Sequence, residues 1–164
     1  MNKNLGQNEQ ELINQLRQTL DAAGTRYDIL AHDMTIVSAD EGAKRGIGSL
    51  QEMAPTFILK TEEGYLAAII SGETRLLYKK IKQQLGLKNV SLATPEQVEQ
   101  VTGSPIGTVS LVNLKLTTII DSRLLEMEYV YGGCGVARHT LQINVEDLVK
   151  VTQARVFEFT ELKP

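Results

Sequence analysis

Two glycine clusters are the parts of this chain best suited to chemistry: Gly103-Ser104-Pro105-Ile106-Gly107, ahead of an apolar run, and Gly132-Gly133-Cys134-Gly135, between two such runs. Glycine lets the backbone come close to a ligand and turn its amides into it. Such loops can hold negative charge developing on a carbonyl oxygen without a charged side chain. A pair of tight turns is the commoner use of the same pattern. Other chemistries have less to draw on. The two histidines, His32 and His139, and the single cysteine, Cys134, show no metal-ligand spacing, so no metal is expected. There is no phosphate loop of the G-x-x-x-x-G-K-[ST] kind and no strand-anchored G-x-G-x-x-G, so no nucleotide cofactor is expected either. Cys134, with His139 five residues on, would serve as a nucleophile only if its thiol were exposed and activated; an incidental cysteine in a glycine turn is the plainer reading. His32 and His139 read first as loop histidines, with His32 kept as a candidate substrate contact.

These loops need elements to hold them. Leu12, Ile13, Leu16 and Leu20 recur at helical spacing and Gly24 stops the helix; Tyr27 to Leu30 then alternates as a strand. Ser38-Ala39-Asp40-Glu41 has capping-box spacing and opens a short helix to about Arg45, and Thr94-Pro95-Glu96-Gln97 opens another that stops near Gly103. Thr56 to Leu59 and Tyr65 to Ser71 form a hairpin across Thr61-Glu62-Glu63-Gly64. Leu76, Leu77, Ile81 and Leu85 predict a helix ending at Gly86, with Arg75, Lys79 and Lys82 as a basic stripe on one face, more often a solvated surface than a phosphate site. Strands are expected at Val109 to Val112, Thr117 to Ile120, Glu128 to Tyr131, Thr140 to Ile143 and Arg155 to Phe159, with a last helix capped by Asn144. The order predicts an α/β (mixed α+β) fold, a mixed sheet with helices outside it, in one domain over residues 1–164.

Composition agrees with a folded domain: 164 residues, 42% hydrophobic and 23% charged. No apolar run is long enough to span a bilayer and MNKNLGQNEQ is too polar for a signal-peptide core, so a cytoplasmic protein with no membrane partner is expected. A net charge of −3 argues against extensive wrapping of nucleic acid but allows contact with an RNA end.

Six segments, taken in order, resemble one family. They are Val37-Ser38-Ala39-Asp40-Glu41-Gly42-Ala43-Lys44, the hairpin from Ala54-Pro55-Thr56-Phe57 to Ser71-Gly72, the helix Leu77 to Gly86, the stretch Leu92 to Gly107, the strand Ile119-Ile120-Asp121, and Tyr131-Gly132-Gly133. Together, from about His32 to Lys150, they are similar to the YbaK and prolyl-tRNA-synthetase-associated editing domains. The resemblance implies a curled mixed sheet forming a partly open barrel surrounded by helices. It also implies hydrolysis, in trans, of the ester joining a wrong amino acid to the acceptor end of a tRNA, with an aminoacyl-tRNA synthetase as a further partner. In that family water attacks the ester, loop amides hold the oxyanion and a substrate ribose hydroxyl assists.

Carried onto this chain, the resemblance makes Gly107, Gly132 and Gly133 the backbone donors. Thr56, Ser71 and Thr108 would line the pocket, and Asp121 would anchor the amino group or order a loop. Two departures stand out. Where relatives carry a lysine before the strand, this chain has Pro55; Lys44 or Arg45 would then supply the charge, while Lys60 sits at an offset that puts it on the opposite strand face. Gly107-Thr108-Val109-Ser110-Leu111-Val112-Asn113 also replaces a loop that relatives fill with proline and a further glycine. A deacylase of altered specificity, a binding module that keeps the pocket without hydrolysis, and a hydrolase of another activated ester all remain open. The strand Arg155 to Phe159 is a candidate edge for a homodimer.

Overall fold

Helical periodicity and capping side chains account for most of the local structure. The computed structural model describes residues 3–36 and 38–164; Val37 of the first motif segment and the start of MNKNLGQNEQ lie outside the described residues. Helix α1, Lys3–Ala22, turns Ile13 and Leu20 into the core and leaves Leu12 exposed. Gly24 ends it at φ 67°, where a side chain would be strained, with the Thr25 amide donating to the Leu20 carbonyl at 3.0 Å. Helix α2, Ala39–Lys44, is capped by the Ser38 hydroxyl, which accepts from the Glu41 amide. Helix α3 spans Tyr78–Leu85, and α4, Pro95–Thr102, carries the complete capping box between Thr94 and Gln97. Helix α5, Val145–Thr152, begins at Asn144, whose side chain accepts from the Asp147 amide.

Among the described residues ten strands follow in chain order: β1 Tyr27–Ala31, β2 Thr56–Thr61, β3 Gly64–Ile69, β4 Thr74–Leu76, β5 Val90–Leu92, β6 Thr117–Asp121, β7 Tyr129–Gly132, β8 His139–Asn144, β9 Arg155–Phe157 and β10 Thr160–Leu162. Five of them form a mixed sheet in the order β5-β2-β3-β6-β9, antiparallel around the β2–β3 hairpin and parallel from β3 to β6 and β9. An antiparallel sheet β1-β8-β7 joins it where Met53 pairs with Tyr131, the Ala54 amide donating to the Tyr131 carbonyl at 2.7 Å. Strands β10 and β4 make a third, two-stranded piece. The result is the mixed α/β arrangement expected, and among the described residues its sheets do not close into a barrel. Helices α1 and α5 cover one apolar cluster around Leu20, Leu141, Ile143 and Leu148, and α3 covers a second around Leu59, Ile81 and Phe159.

Three local expectations are corrected. Val109 to Val112 is not a strand: Leu111 is buried, its amide donates to the Gly133 carbonyl at 2.9 Å, and Ser110 turns the chain by accepting from the Val112 amide. Arg75 belongs to β4 rather than to the helix with Lys79 and Lys82, so the basic stripe is broken; its guanidinium pairs with Glu161 across β10. The strand from Arg155 stops at Phe157, because the Phe159 amide leaves the ladder for a carboxylate oxygen of Asp121 at 2.8 Å, and the chain re-enters as β10. Among the described residues no helix is long and apolar enough to cross a membrane.

Candidate functional site

A largely apolar cleft of about 570 Å³ opens between β2, α2, α4 and the two glycine loops. Its walls include Ile58 and Ile70 from the central sheet, Val98 from α4 and Met53 and Tyr131 from the junction of the two sheets. Both glycine loops contribute to its lining. The first glycine loop is closed by the Thr108 amide and hydroxyl, both donating to the Pro105 carbonyl, at 3.1 and 2.8 Å. Gly107 sits at φ 90°, a conformation that glycine adopts without strain. The second loop is stitched to the first by two bonds of 2.9 Å, from Leu111 N to Gly133 O and from Gly135 N to Thr108 O. Among the described residues the amides of Gly107 and Gly133 donate to nothing. Both glycines line the cleft.

That close contact dictates the residue type. A Cβ on Gly133 would collide with the Val109 carbonyl oxygen, and one on Gly132 would lie 2.7 Å from both the Ala54 carbonyl oxygen and Leu111 Cγ. These glycines are required by proximity rather than by their dihedral angles.

Of the residues singled out from sequence, Gly107, Thr108, Gly132, Gly133 and Thr56 line the cleft. Thr56 brings a buried hydroxyl oxygen with no hydrogen-bond partner among the described residues. The rest stand elsewhere. Lys44 ends α2, and Arg45 follows it with its Nε on Glu41 at 3.2 Å. Lys60 is exposed on β2 opposite Tyr65 and Ser91. Ser71 is buried, its hydroxyl donating to the Gln51 carbonyl at 2.8 Å. Asp121, fully buried, accepts from the Phe159 amide and the Thr160 hydroxyl, both at 2.8 Å, and so orders the turn between β9 and β10.

His32 follows β1 with its Nε2 2.8 Å from the Thr140 hydroxyl, while Thr140 and His139 themselves line the cleft. His139 Nδ1 donates to the Ala137 carbonyl at 2.9 Å. Burial, with His139 nearby, pushes the His32 pKa below the usual 6.5. The unfolded chain therefore binds this proton more readily, and stability contributed by neutral His32 is lost as pH falls through the unfolded value. His32→Gln is expected to flatten the fall in thermal midpoint between about pH 7 and pH 5. Equal slopes for the two proteins would refute this. Burial also pushes the Cys134 thiol up, the opposite of what a nucleophile needs.

Sequence reasoning missed three charged groups at the cleft: Asp40, Arg75 and Lys163. Asp40 lay within the capping segment and carried a helix-start signal only. Arg75 and Lys163 arrive through β4 and β10, whose pairing no local pattern announces.

The model of the aminoacyl-tRNA editing domain matches residues 34–151, well over half of the chain. The chain belongs to that family. Among curated relatives, this editing domain is 24% identical over 119 residues to the proline–tRNA ligase of Thermosipho melanesiensis, 71% of this chain and 21% of the ligase. With the proline–tRNA ligase of Fervidobacterium nodosum it shares 28% over 106 residues, 63% of this chain and 18% of that one. It thus spans about a fifth of the length of these ligases. Solved structures of similar size also match. A hypothetical protein superposes with a TM-score of 0.83 at 29% identity, over 89% of this chain and 99% of the other. A candidate trans-editing enzyme for prolyl-tRNA synthetase superposes at 0.79 and 24% identity, over 92% and 97%, which bears on the fold alone.

Proposed function

We propose that this editing domain acts as a freestanding deacylase in the cytoplasm, hydrolysing in trans the aminoacyl ester at the acceptor end of a mischarged tRNA. The observation that carries the reading is the pair of amides, Gly107 and Gly133, left without acceptors where two stitched loops meet the cleft. Water attacks the ester carbonyl, the carbonyl oxygen becomes an anion that these amides hold, and collapse expels the ribose oxygen, which takes up a proton as the free amino acid leaves. An activated ester needs positioning and oxyanion stabilisation more than a strong base, and fixed donors are worth about 10²- to 10³-fold each. Met53, Ile58 and Val98 give the amino-acid side chain an apolar wall. Membership of the aminoacyl-tRNA editing family supports the choice of this ester as substrate.

The test is a panel of tRNAs mischarged with alanine, cysteine, serine or threonine, followed by release of free amino acid. Acceleration over buffer for at least one ester is expected. No acceleration for any, with tight binding of the RNA end, would replace the reading with that of a binding module; turnover only of small aminoacyl esters lacking RNA would replace it with a different esterase.

A further inference from the structure

The cleft holds one cation that no carboxylate neutralises among the described residues. Of the charged side chains lining it, Arg75 is paired with Glu161 at 2.5 Å, and Asp40 is the sole carboxylate. Lys163 differs. Its Nζ donates to the Gly72 carbonyl at 3.0 Å, and none of the ion pairs involves it. An ammonium has three donors, so two remain for a ligand. The lysine is also well placed. Antiparallel pairing of β10 with β4 sets Leu162 opposite Thr74, and the Lys163 amide extends the ladder by donating to the Glu73 carbonyl at 3.0 Å. Gly72 is itself fixed, its amide bonded to the Met53 carbonyl at 2.7 Å, with Ala39 and Leu50 closely packed around it. The head group is therefore held at the cleft by both its backbone and its side chain. On the β2 side, Pro55 and Thr56 line the cleft and offer no charge.

We propose that Lys163 is the phosphate anchor of this site, binding a phosphodiester of the single-stranded RNA end whose ester lies at the glycine loops. The inference rests on the deacylase reading for the identity of the ligand, but binding tests it without catalysis. Lys163 lies beyond residues 34–151, so this contact is made by a part of the chain that the family model does not cover. A net charge of −3 makes a single well-placed cation matter more for an anionic strand than it would on a basic protein.

The experiment measures binding of a short fluorescent RNA of acceptor-end sequence, uncharged, over a salt series, for the full chain and for Lys163→Ala, Lys163→Gln and Lys163→Arg. Lys163→Ala should bind about tenfold more weakly, the scale of one charge-assisted hydrogen bond. Its plot of log affinity against log salt should be shallower by about 0.7, the counterion share of one single-strand phosphate. Lys163→Gln keeps a donor for Gly72 without the charge and should behave as Lys163→Ala at an unchanged melting temperature, whereas Lys163→Arg should restore the slope. On mischarged tRNA, Lys163→Ala should raise KM with kcat within about twofold, since binding lost equally from ground and transition states leaves kcat alone. Turnover of an aminoacyl adenosine, which has no phosphate, should not change. If the parent binds the RNA and Lys163→Ala and Lys163→Gln lose it, the anchor stands even where no ester is hydrolysed, and only the deacylase reading fails. No RNA binding by the parent, or Lys163→Gln binding with the parent's affinity and slope, overturns the anchor.

Discussion

Asp121→Ala is expected to destabilise the chain by about 3–5 kcal/mol, because it strips the acceptor from several buried donors at once. The carboxylate has no solvent exposure. One oxygen accepts from the Phe159 amide at 2.8 Å, and the other from the Thr160 hydroxyl at 2.8 Å and the Arg123 amide at 3.4 Å. Arg123 Nε, buried and without a hydrogen-bond partner among the described residues, sits 3.9 Å from that second oxygen. Alanine leaves the Phe159 amide and the Thr160 hydroxyl unanswered in the core, and takes the carboxylate away from the partly exposed Arg123 side chain. The damage would reach the site. Asp121 ties the end of β6 to the turn that launches β10, and β10 carries Lys163 to the cleft. Chemical denaturation should show the midpoint shift, with a thermal midpoint lower by roughly 10 °C for a chain of this size. A loss under about 1 kcal/mol would mean that water satisfies these groups and that the network adds little.

Gly133→Ala is expected to lower kcat/KM for the edited ester about a hundredfold while the protein still folds. The new methyl would collide with the Val109 carbonyl oxygen and crowd that of Thr108 at 3.1 Å. Both contacts are backbone, which has no rotamer to yield, so the two glycine loops must part. Parting them breaks the bonds from Leu111 N to Gly133 O and from Gly135 N to Thr108 O and displaces the Gly133 amide from its place at the cleft. Overpacking of this kind costs about 1–3 kcal/mol of stability, less than a domain holds. Gly86→Ala separates the two effects. Gly86 has φ 67° and no atom within 4 Å of an added Cβ, so alanine there adds strain at the end of α3 and should leave kcat/KM unchanged. If Gly133→Ala retained full turnover, the loop amides would not be the oxyanion donors.

Much of the architecture is decided within a few residues and is legible in the chain. Thr94 and Gln97 satisfy each other's amides across three positions, the Asn144 side chain caps α5 by accepting from the Asp147 amide, and Thr61-Glu62-Glu63-Gly64 turns β2 into β3. The glycine loops are legible for a related reason: clustered glycines mark close backbone approach whatever is approached. Long-range pairing is what sequence could not supply. Arg75 followed the spacing of a helix and became a strand residue because Glu161, 86 positions away, pairs with it. Lys163 reaches the cleft through a bond to Gly72, 91 positions away, and nothing near either residue predicts it. Val109 to Val112 had the apolar content of a strand, but its amides were claimed by Gly133 and Ser110 instead. The caps, the hairpin, the glycine loops and the shortage of metal ligands depend on residue type and short spacing, so they can be read along the chain. Which backbone amides stay free and which cation stands at the cleft depend on which distant partner has already claimed each group, and that is a matter of tertiary packing.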